Sequence, residues 1–266
     1  MMTDLLIYTI FPALLAVSCL FWILYRIQKL TGDAGIVDVG WAAGLGCLAL
    51  FYAFALSGDP YRRIALALLA GFWSFRLALY LLFNRVLGKE EDGRYKSIRE
   101  SWQGNIQTFF FWFFQAQGLL DIILSLSFLI VALNPQPFPS YWDMAAVMLF
   151  LISITGESMA DRQLARFRAN PGNKGKTCRR GLWKYSRHPN YFFEWLHWWV
   201  YVFLALGSPY WWITLIAPAL MLYFILYITG IPPTEAQAIA SRGEDYKNYQ
   251  QTTSAFIPWF PKKEIS

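Results

Sequence analysis

The hydrophobic pattern of the chain consists of long apolar runs separated by short polar segments. Each run approaches the roughly 20 residues that an α-helix needs to cross about 30 Å of hydrocarbon. The pattern therefore predicts an all-α integral membrane protein, a bundle of seven helices. The predicted spans are Leu5–Tyr25, Ile36–Leu56, Ile64–Phe83, Thr108–Leu133, Trp142–Thr155, Tyr191–Leu206 and Tyr210–Ile228. The fifth and sixth are short, which leaves open whether they tilt little, cross at an angle or extend as helices beyond the membrane.

The composition agrees with a membrane protein. Of the 266 residues, 56% are hydrophobic and only 15% are charged, against about 25% charged residues in a typical soluble domain. The formal net charge is +6. Because the basic residues lie mostly between the apolar runs, they indicate membrane topology and anionic lipid headgroups as partners rather than nucleic acid. The three cysteines show no spacing typical of a disulfide framework or a zinc site.

The charge of the polar segments predicts the orientation. Segments 26–35, 84–107 and 156–190 contain 2, 5 and 9 Lys and Arg residues, whereas the alternate loops together contain only Arg62 and Arg63. Positive segments remain in the cytoplasm. We therefore expect the N-terminus outside, the C-terminus in the cytoplasm, and any site for a charged soluble cofactor on the cytoplasmic side.

Four charged residues lie inside or at the edge of apolar runs, where each costs about 2.5–3.5 kcal/mol near a helix centre. They are Asp38, Arg76, Asp121 and Glu194. Such residues face a bundle interior or a wet cavity and mark functional sites. The alternative is a structural ion pair, such as Arg76 with Asp38 or with Asp121, and the sequence leaves both interpretations open.

The third predicted span carries a polar stripe. Arg76, Tyr80 and Asn84 recur at helical spacing and continue to Arg85 at the cytoplasmic end. The Tyr80 hydroxyl could donate a proton to a developing oxyanion. Alternatively, it could simply reach the lipid headgroups.

A polar segment follows the fifth predicted span. Glu157, Asp161 and Arg168 share one helical face, and Arg162 and Arg166 add positive charge. Carboxylates could bind ribose hydroxyls and guanidinium groups could bind phosphates of a nucleotide. The alternative is a solvated amphipathic helix that lies on anionic lipid.

The stretch Cys178–Trp199 joins a basic loop to an apolar run. Asn190, Glu194 and His197 recur at i, i+4 and i+7 and therefore share one face of a helix. A passive anchor needs no such stripe, so we expect the catalytic or cofactor end of a membrane enzyme here. His188 precedes a proline in the loop, which favours phosphate contact or loop shaping over a role as catalytic base.

Several common motifs are missing from the sequence. It contains no GxGxxG after a strand, no Walker A motif, no HExxH and no GxSxG. The spacing of His188, Glu194 and His197 is weak evidence for a metal site, so we expect no metal.

Three segments resemble a known family: ESMADRQLARFR, RRGLWKYSRHPNYFFEW and the tail TGIPPTEAQAIASRGEDYKNYQQTTSAFIPWFPK. They look like the steroid 5-alpha-reductase-like superfamily, in particular its bacterial branch of multi-pass membrane proteins with a domain of unknown function. More distant members are the isoprenylcysteine carboxyl methyltransferases. The resemblance covers the chain from about Gly32 and is strongest over Glu157–Pro261.

The resemblance implies a single seven-helix membrane domain over residues 1–266 in a bacterial inner membrane, with NADPH bound by cytoplasmic loops. Residues 1–103 would form the substrate side and residues 104–266 the cofactor side. Tyr80 falls where the steroid enzymes have a tyrosine that protonates or polarises the substrate carbonyl, and Arg76 is the second catalytic candidate. The substrate-binding candidates are Asp38 and Trp41. The cofactor-binding candidates are Asn105, Asp161, Arg168, Arg180, Tyr185, Arg187, His188, Asn190 and Glu194.

The sequence also departs from the steroid enzymes. These have a Gln-Glu pair after the second helix that helps to hold the 3-keto group, whereas the chain reads FALSGDPYRR there, with Asp59 as the one carboxylate. A 3-oxosteroid substrate is therefore not expected. In the tail, Glu235 follows Pro232 and Pro233 and is expected to cap a helix start, with ligand binding as the alternative.

Three functions remain. The first is an NADPH-dependent reductase that transfers a hydride to a C=C bond of a lipophilic small molecule, with Tyr80 as donor to the enolate oxygen. The second is a membrane methyltransferase that uses S-adenosylmethionine, a cofactor without phosphates that would leave the arginine density unexplained. The third is a non-catalytic lipid carrier or assembly protein.

Overall fold

The computed structural model describes residues 5–262. Within this range the secondary structure is helical, and the helices are joined by short turns and irregular segments. We number the α-helices α1 Phe11–Thr31, α2 Ile36–Ala55, α3 Pro60–Leu81, α4 Gly93–Ser101, α5 Ile106–Leu133, α6 Tyr141–Ala169, α7 Pro189–Ala205, α8 Ile216–Tyr223, α9 Ile231–Arg242 and α10 Glu244–Thr252. Single π-helical turns precede α1 and follow α3 and α8. The all-α prediction is confirmed for the part of the chain that the structure describes.

Six helical segments of the described chain are long and apolar enough to cross a membrane. They are Ile7–Thr31, Ile36–Ala55, Pro60–Val86, Ile106–Leu133, Tyr141–Ala169 and Trp211–Arg242. The protein is therefore an integral, multi-pass membrane protein. The predicted span Tyr191–Leu206 corresponds to α7, which has only 17 residues, so a count of seven spans is not confirmed. The short predicted span Trp142–Thr155 is part of α6, which has 29 residues and continues through the polar segment.

The chain divides into two compact units, which we describe separately. Unit 1 comprises Met1–Ser140 and Leu204–Ala217, and unit 2 comprises Tyr141–Phe203 and Pro218–Ser266. Their first and last few residues, 1–4 and 263–266, lie outside the described part of the chain. The division into a substrate side, 1–103, and a cofactor side, 104–266, concerned function and stays a prediction.

In unit 1, the helix starts follow from capping residues. The Asp59 side chain accepts a hydrogen bond from the backbone N–H of Arg62 at 2.9 Å, and Pro60 occupies the first position of α3. The Asn105 side chain accepts bonds from the backbone N–H groups of Gln107 and Thr108, at 2.9 and 3.1 Å, at the start of α5. These bonds satisfy N–H groups that have no partner within the helix.

A buried arginine explains why residues 204–217 belong to unit 1. Arg62 of α3 is fully buried. Its guanidinium donates hydrogen bonds to the backbone carbonyl of Leu204 at 2.7 Å and to that of Gln136 at 3.3 Å. Asn134 donates to the same Leu204 carbonyl at 3.1 Å. The backbone carbonyls thus bind the guanidinium of a residue that the sequence analysis places in a short loop between two predicted spans.

Unit 2 is built on close packing between α6 and α7. Gly156 of α6 lies against the ring of Phe193 of α7, and a Cβ atom at position 156 would come within 2.5 Å of that ring. A second apolar cluster joins the first turns of α7 to the tail through Phe256, Ile225 and Ile231. The polar C-terminal half of α6 and the start of α7 are therefore packed closely together, and both carry polar side chains.

Candidate functional site

The loop between α6 and α7 crosses the polar half of α6. The Trp183 indole N–H donates to the Ala160 carbonyl at 2.9 Å, and the Leu182 backbone N–H donates to the Gln163 side chain at 2.8 Å. Gly181 has a φ of +60° and lies so close to Gln163 that a Cβ atom would overlap it. The loop therefore needs glycine at this point, and the turn fixes the position of the neighbouring Arg180.

Two predicted cofactor residues contact each other in unit 2. The Asn190 amide N–H, at the start of α7, donates to the Asp161 carboxylate of α6 at 3.3 Å. The side-chain amide oxygen of Asn190, Oδ1, is buried and has no hydrogen-bond partner within the described chain. Glu194 lies one turn further along α7 and is partly buried. Asn190 therefore presents a buried acceptor that no group in residues 5–262 satisfies, which is unusual for a native structure.

The positive charges of Arg168, Arg180 and Arg242 all act on the Cys178 thiol, and we call these three arginines the cationic cluster. Burial raises the pKa of Cys178, although the backbone N–H of Arg180 and the positive charges of the cluster act in the opposite direction. Arg168 and Arg180 are exposed. Over residues 5–262 neither forms an ion pair. The cluster therefore carries positive charge that the described carboxylates do not neutralise.

A second polar group of unit 2 is fully paired, and we call it the Glu235 network. The Glu235 carboxylate accepts hydrogen bonds from Arg187 at 2.6 Å, His188 at 3.2 Å, Gln250 at 2.7 Å and Tyr246 at 3.4 Å. Arg187 donates further to the backbone carbonyls of Gln250 and Thr253, at 3.0 and 2.6 Å. The predicted cofactor residues Arg187 and His188 thus join the loop to α9 and α10.

The Glu235 network changes the titration of its members. Burial lowers the pKa of the His188 imidazole, against the opposing effect of the Glu235 carboxylate. Burial and the negative charge of Glu235 raise the pKa of Tyr246 to about 12. Both side chains are therefore neutral at physiological pH, and Glu235 with Arg187 forms the charged pair.

The expected helix cap at Glu235 is wrong. Helix α9 begins at Ile231, and its N-cap residue, Gly230, makes no side-chain cap bond. Glu235 lies beyond the first turn and bonds side chains from α10 and the loop instead. The two prolines predicted the helix start, but the partners of the carboxylate come from segments that are 48 and 15 residues away in sequence.

The predicted residue Tyr185 packs against the tail. Its backbone carbonyl accepts from the Trp259 N–H at 2.9 Å, and its ring contacts that of Phe260 edge-to-face at 6.0 Å between centroids. On the buried side of the same loop, the Tyr249 hydroxyl donates to the carbonyls of Trp183 and Ser186. The basic loop is therefore anchored from α6, α10 and the tail.

The substrate candidates lie in unit 1. The Asp38 carboxylate accepts from the Arg94 guanidinium at 2.8 Å and from the Tyr95 hydroxyl at 2.7 Å. Asp38 thus pairs with Arg94 of α4, and the suggested pairs of Arg76 with Asp38 or Asp121 are wrong. Trp41 contacts Trp73 edge-to-face at 6.3 Å between ring centroids.

The catalytic candidates also lie in unit 1. Tyr80 is 43% exposed near the end of α3, and the Asn84 amide donates to its backbone carbonyl at 2.9 Å. Arg76 is partly buried one turn earlier. Asn105, the helix cap of α5, is one of the residues that line an open apolar groove of about 510 Å³. The aromatic lining of this groove consists of Trp102, Phe109, Trp112 and Phe113.

Sequence analysis missed several residues of the loop region. Gln163 and Tyr249 anchor the loop, and Arg242 completes the cationic cluster. Tyr246 and Tyr249 recur at i, i+3 in the tail segment and are both buried, so helical spacing could have indicated a buried face. The partners of Gln163 follow only from the path of the loop.

Comparison of the chain with known proteins finds one family match. No curated protein and no solved structure matches the chain. A family match covers residues 22–253 and therefore includes Asp161, Asn190, the cationic cluster and the Glu235 network. The chain belongs to the family described as "Protein of unknown function (DUF1295)".

Proposed function

We propose that the protein is a membrane-embedded reductase that uses NADPH to reduce a C=C bond in a lipophilic, enone-like substrate. The observation that carries the proposal is the cationic cluster of unit 2, in which Arg168 and Arg180 lie exposed and unpaired within the described chain beside the buried thiol of Cys178. Grouping like charges is unfavourable unless an anion offsets it. A ligand with several phosphates supplies that anion.

The residues of the cationic cluster suit phosphate groups. A guanidinium group presents a planar fork of donors that binds phosphate oxygens in a bidentate manner and keeps its charge at any physiological pH. NADPH carries a pyrophosphate and a 2′-phosphate, so three guanidinium groups would offset most of its negative charge. Arg187 takes no part in this set because Glu235 and two backbone carbonyls occupy its donors.

The Asp161–Asn190 pair suits the uncharged parts of the same ligand. The unsatisfied Asn190 carbonyl oxygen can accept from an N–H or O–H group. The Asp161 carboxylate can accept from a ribose hydroxyl while it still accepts from Asn190. Asn190 would therefore orient the ligand, and Asp161 would orient Asn190. In NADPH, the amide of the nicotinamide ring and the ribose hydroxyls are the matching donors.

When bound, NADPH supplies the hydride. The residues of the chain bind and orient the ligands and exclude water. In unit 1, Tyr80 is the proposed donor to the substrate oxygen, and Arg76, one turn earlier on the same face of α3, is proposed to stabilise negative charge there. Asp38 and Trp41 are proposed to border the substrate.

A lipophilic substrate is supported by the apolar groove at the start of α5. Four of its lining side chains are aromatic, and Asn105 adds a polar group to the lining. A groove of this kind on a membrane-spanning helix suits an amphiphile with a long apolar part. The likeness of the loop and tail segments to the steroid 5-alpha-reductase-like superfamily supports the same reaction class. We also propose the bacterial inner membrane, an outside N-terminus and a cytoplasmic C-terminus, from the excess of Lys and Arg in alternate loops.

The experiment that tests the cofactor is a titration of the purified protein, in detergent or nanodiscs, with NADPH and with S-adenosylmethionine. We expect saturable binding of NADPH and none of S-adenosylmethionine. Binding of S-adenosylmethionine alone would favour a methyltransferase. Binding of neither nucleotide would favour a lipid carrier or assembly role.

The proposed proton donor is tested by Tyr80→Phe. The variant keeps the ring and loses the hydroxyl, so we expect it to bind NADPH as the wild type does and to lose most turnover on a lipid enone. Tyr61→Phe, another exposed tyrosine of α3, is the matched control. Full turnover by Tyr80→Phe with NADPH bound would exclude the donor role.

A further inference from the structure

Asp121 is a carboxyl group enclosed in the interior of unit 1. It lies near the middle of α5, a membrane-spanning helix, and its side chain is fully buried. Neither carboxyl oxygen has a hydrogen-bond partner in the described chain. Buried polar groups without partners are rare in native proteins, and each needs a physical explanation.

The surroundings of Asp121 are apolar. One carboxyl oxygen packs against Gly44 of α2, where any Cβ atom would overlap it, and the Leu20 side chain of α1 lies at the same place. Ser125, one turn along α5, has other partners: it lies 3.3 Å from the Tyr52 hydroxyl and donates to the Ile122 carbonyl at 2.9 Å. Neither the Ser125 nor the Tyr52 hydroxyl donates a hydrogen bond to the Asp121 carboxyl oxygens.

No described cation neutralises Asp121. The positive charge of Arg94 is taken by Asp38 and Asp92, and Arg76 of α3 makes no ion pair with Asp121. On the packed helices, Tyr52 of α2 bonds Ser125, and the thiols of Cys19 of α1 and Cys47 of α2 are exposed. An ionised carboxylate in such a place would carry the full cost of lost solvation, whereas the neutral acid carries a much smaller one.

We propose that Asp121 is an intramembrane proton-binding site. The carboxyl group binds one proton and retains it as a neutral acid while α2 and α5 are packed at Gly44. Gly44 provides the space, since the carboxyl group occupies the volume that a side chain would fill. Release of the proton requires water or a cation to reach the carboxyl group, and therefore requires α2 and α5 to separate locally. This inference does not depend on the proposed reductase activity.

Dicyclohexylcarbodiimide tests the site because it reacts with protonated carboxyl groups in apolar surroundings. The acid proton passes to a carbodiimide nitrogen, the carboxylate oxygen adds to the central carbon, and rearrangement gives a stable N-acylurea without a leaving group. In proteoliposomes that contain the full-length protein, we expect the adduct on the Asp121 peptide and its loss in Asp121→Asn. Asp38 and Asp92, which are paired with Arg94, are internal controls that should stay unmodified.

Infrared difference spectroscopy gives a second measurement that does not depend on reagent access. At a pH of about 8, far above the ordinary carboxyl pKa of about 4, we expect the wild type minus Asp121→Asn spectrum to show the C=O stretch of a protonated acid. A carboxylate band in its place would overturn the proposal, whatever the outcome of the labelling. Asp121→Asn keeps the shape of the side chain and is expected to fold.

Discussion

Two groups of arginines in unit 2 differ in how their charge is balanced. In the Glu235 network, Arg187 is held by a carboxylate and two backbone carbonyls. In the cationic cluster, Arg168 and Arg180 lie exposed, and over residues 5–262 they form no ion pair. The sequence shows all three as members of one basic region. In the structure Arg187 holds the loop, whereas we propose that the cationic cluster binds an anion.

This difference suggests how one polar loop can be stable and still have charges available for an anionic ligand. Burying a charge is tolerated when it is paired and hydrogen-bonded, and the Glu235 network meets this condition with four donors to one carboxylate. An exposed arginine loses little hydration, so it can remain uncompensated until a ligand arrives. We therefore expect substitutions in the Glu235 network to affect stability and substitutions in the cationic cluster to affect ligand binding.

The largest effect is expected for Arg187→Ala. Removing Arg187 leaves the partly buried Glu235 carboxylate without its charged partner, and breaking such a pair costs about 3–5 kcal/mol. Thermal unfolding in detergent should show a strongly lowered midpoint. Lys247→Ala is the control, because it breaks an exposed pair with Glu244 that contributes only about 0.2–0.5 kcal/mol. Equal effects of the two substitutions would contradict the structural role of Arg187.

Asn190 is both paired and available for a ligand. Its side-chain N–H donates to Asp161, and its side-chain oxygen has no hydrogen-bond partner within the described chain. Asn190→Ala should cost about 1 kcal/mol of stability, the usual contribution of one hydrogen bond, and should weaken NADPH binding. Asn190→Asp should weaken binding more strongly, because it places a second carboxylate beside Asp161. Calorimetric titration of both variants measures this. Unchanged affinity in both would remove Asn190 from the binding site.

A smaller effect is expected from the pH dependence of His188. Burial lowers the pKa of His188 below its ordinary value of about 6.5. As the pH falls, the unfolded chain therefore takes up the proton first. The contribution of His188 to the free energy of unfolding is complete above a pH of about 6.5 and is lost as the pH falls toward the lowered pKa. As the pH is lowered through this window, the thermal unfolding midpoint of the wild type should decrease, and that of His188→Gln should decrease less. A parallel pH profile of the two proteins would contradict a buried, neutral His188.

The helices could be predicted from the sequence because apolar runs of membrane length have few alternative structures. The start of α2 at Ile36 and the end of α5 at Leu133 agree with prediction. The sixth apolar run, Tyr191–Leu206, does not establish a membrane span, because α7 has 17 residues, near the lower limit for crossing a bilayer. The polar segment of α6 was predicted to be helical from the common face of Asp161 and Arg168, and it is.

The pairing of charges could not be predicted, because the partners are far apart in sequence. Asp38 pairs with Arg94, which is 56 residues away in sequence, and Arg187 pairs with Glu235, which is 48 residues away. Helical spacing indicates which residues share a face, but the loop path decides which faces meet. For the same reason Asn190 and Asp161 were each selected from the sequence, whereas their direct contact follows only from the packing of α7 on α6.

The most direct test of the central claim is the affinity for NADPH of the double variant Arg168→Ala/Arg180→Ala. A hydrogen bond to a charged group contributes about 1.5–3 kcal/mol, so each lost guanidinium should weaken binding about tenfold or more. Lys29→Ala/Lys96→Ala removes the same charge from exposed positions of unit 1 and should bind as the wild type does. Equal affinity of the two double variants, or no NADPH binding by the wild type, would contradict the account.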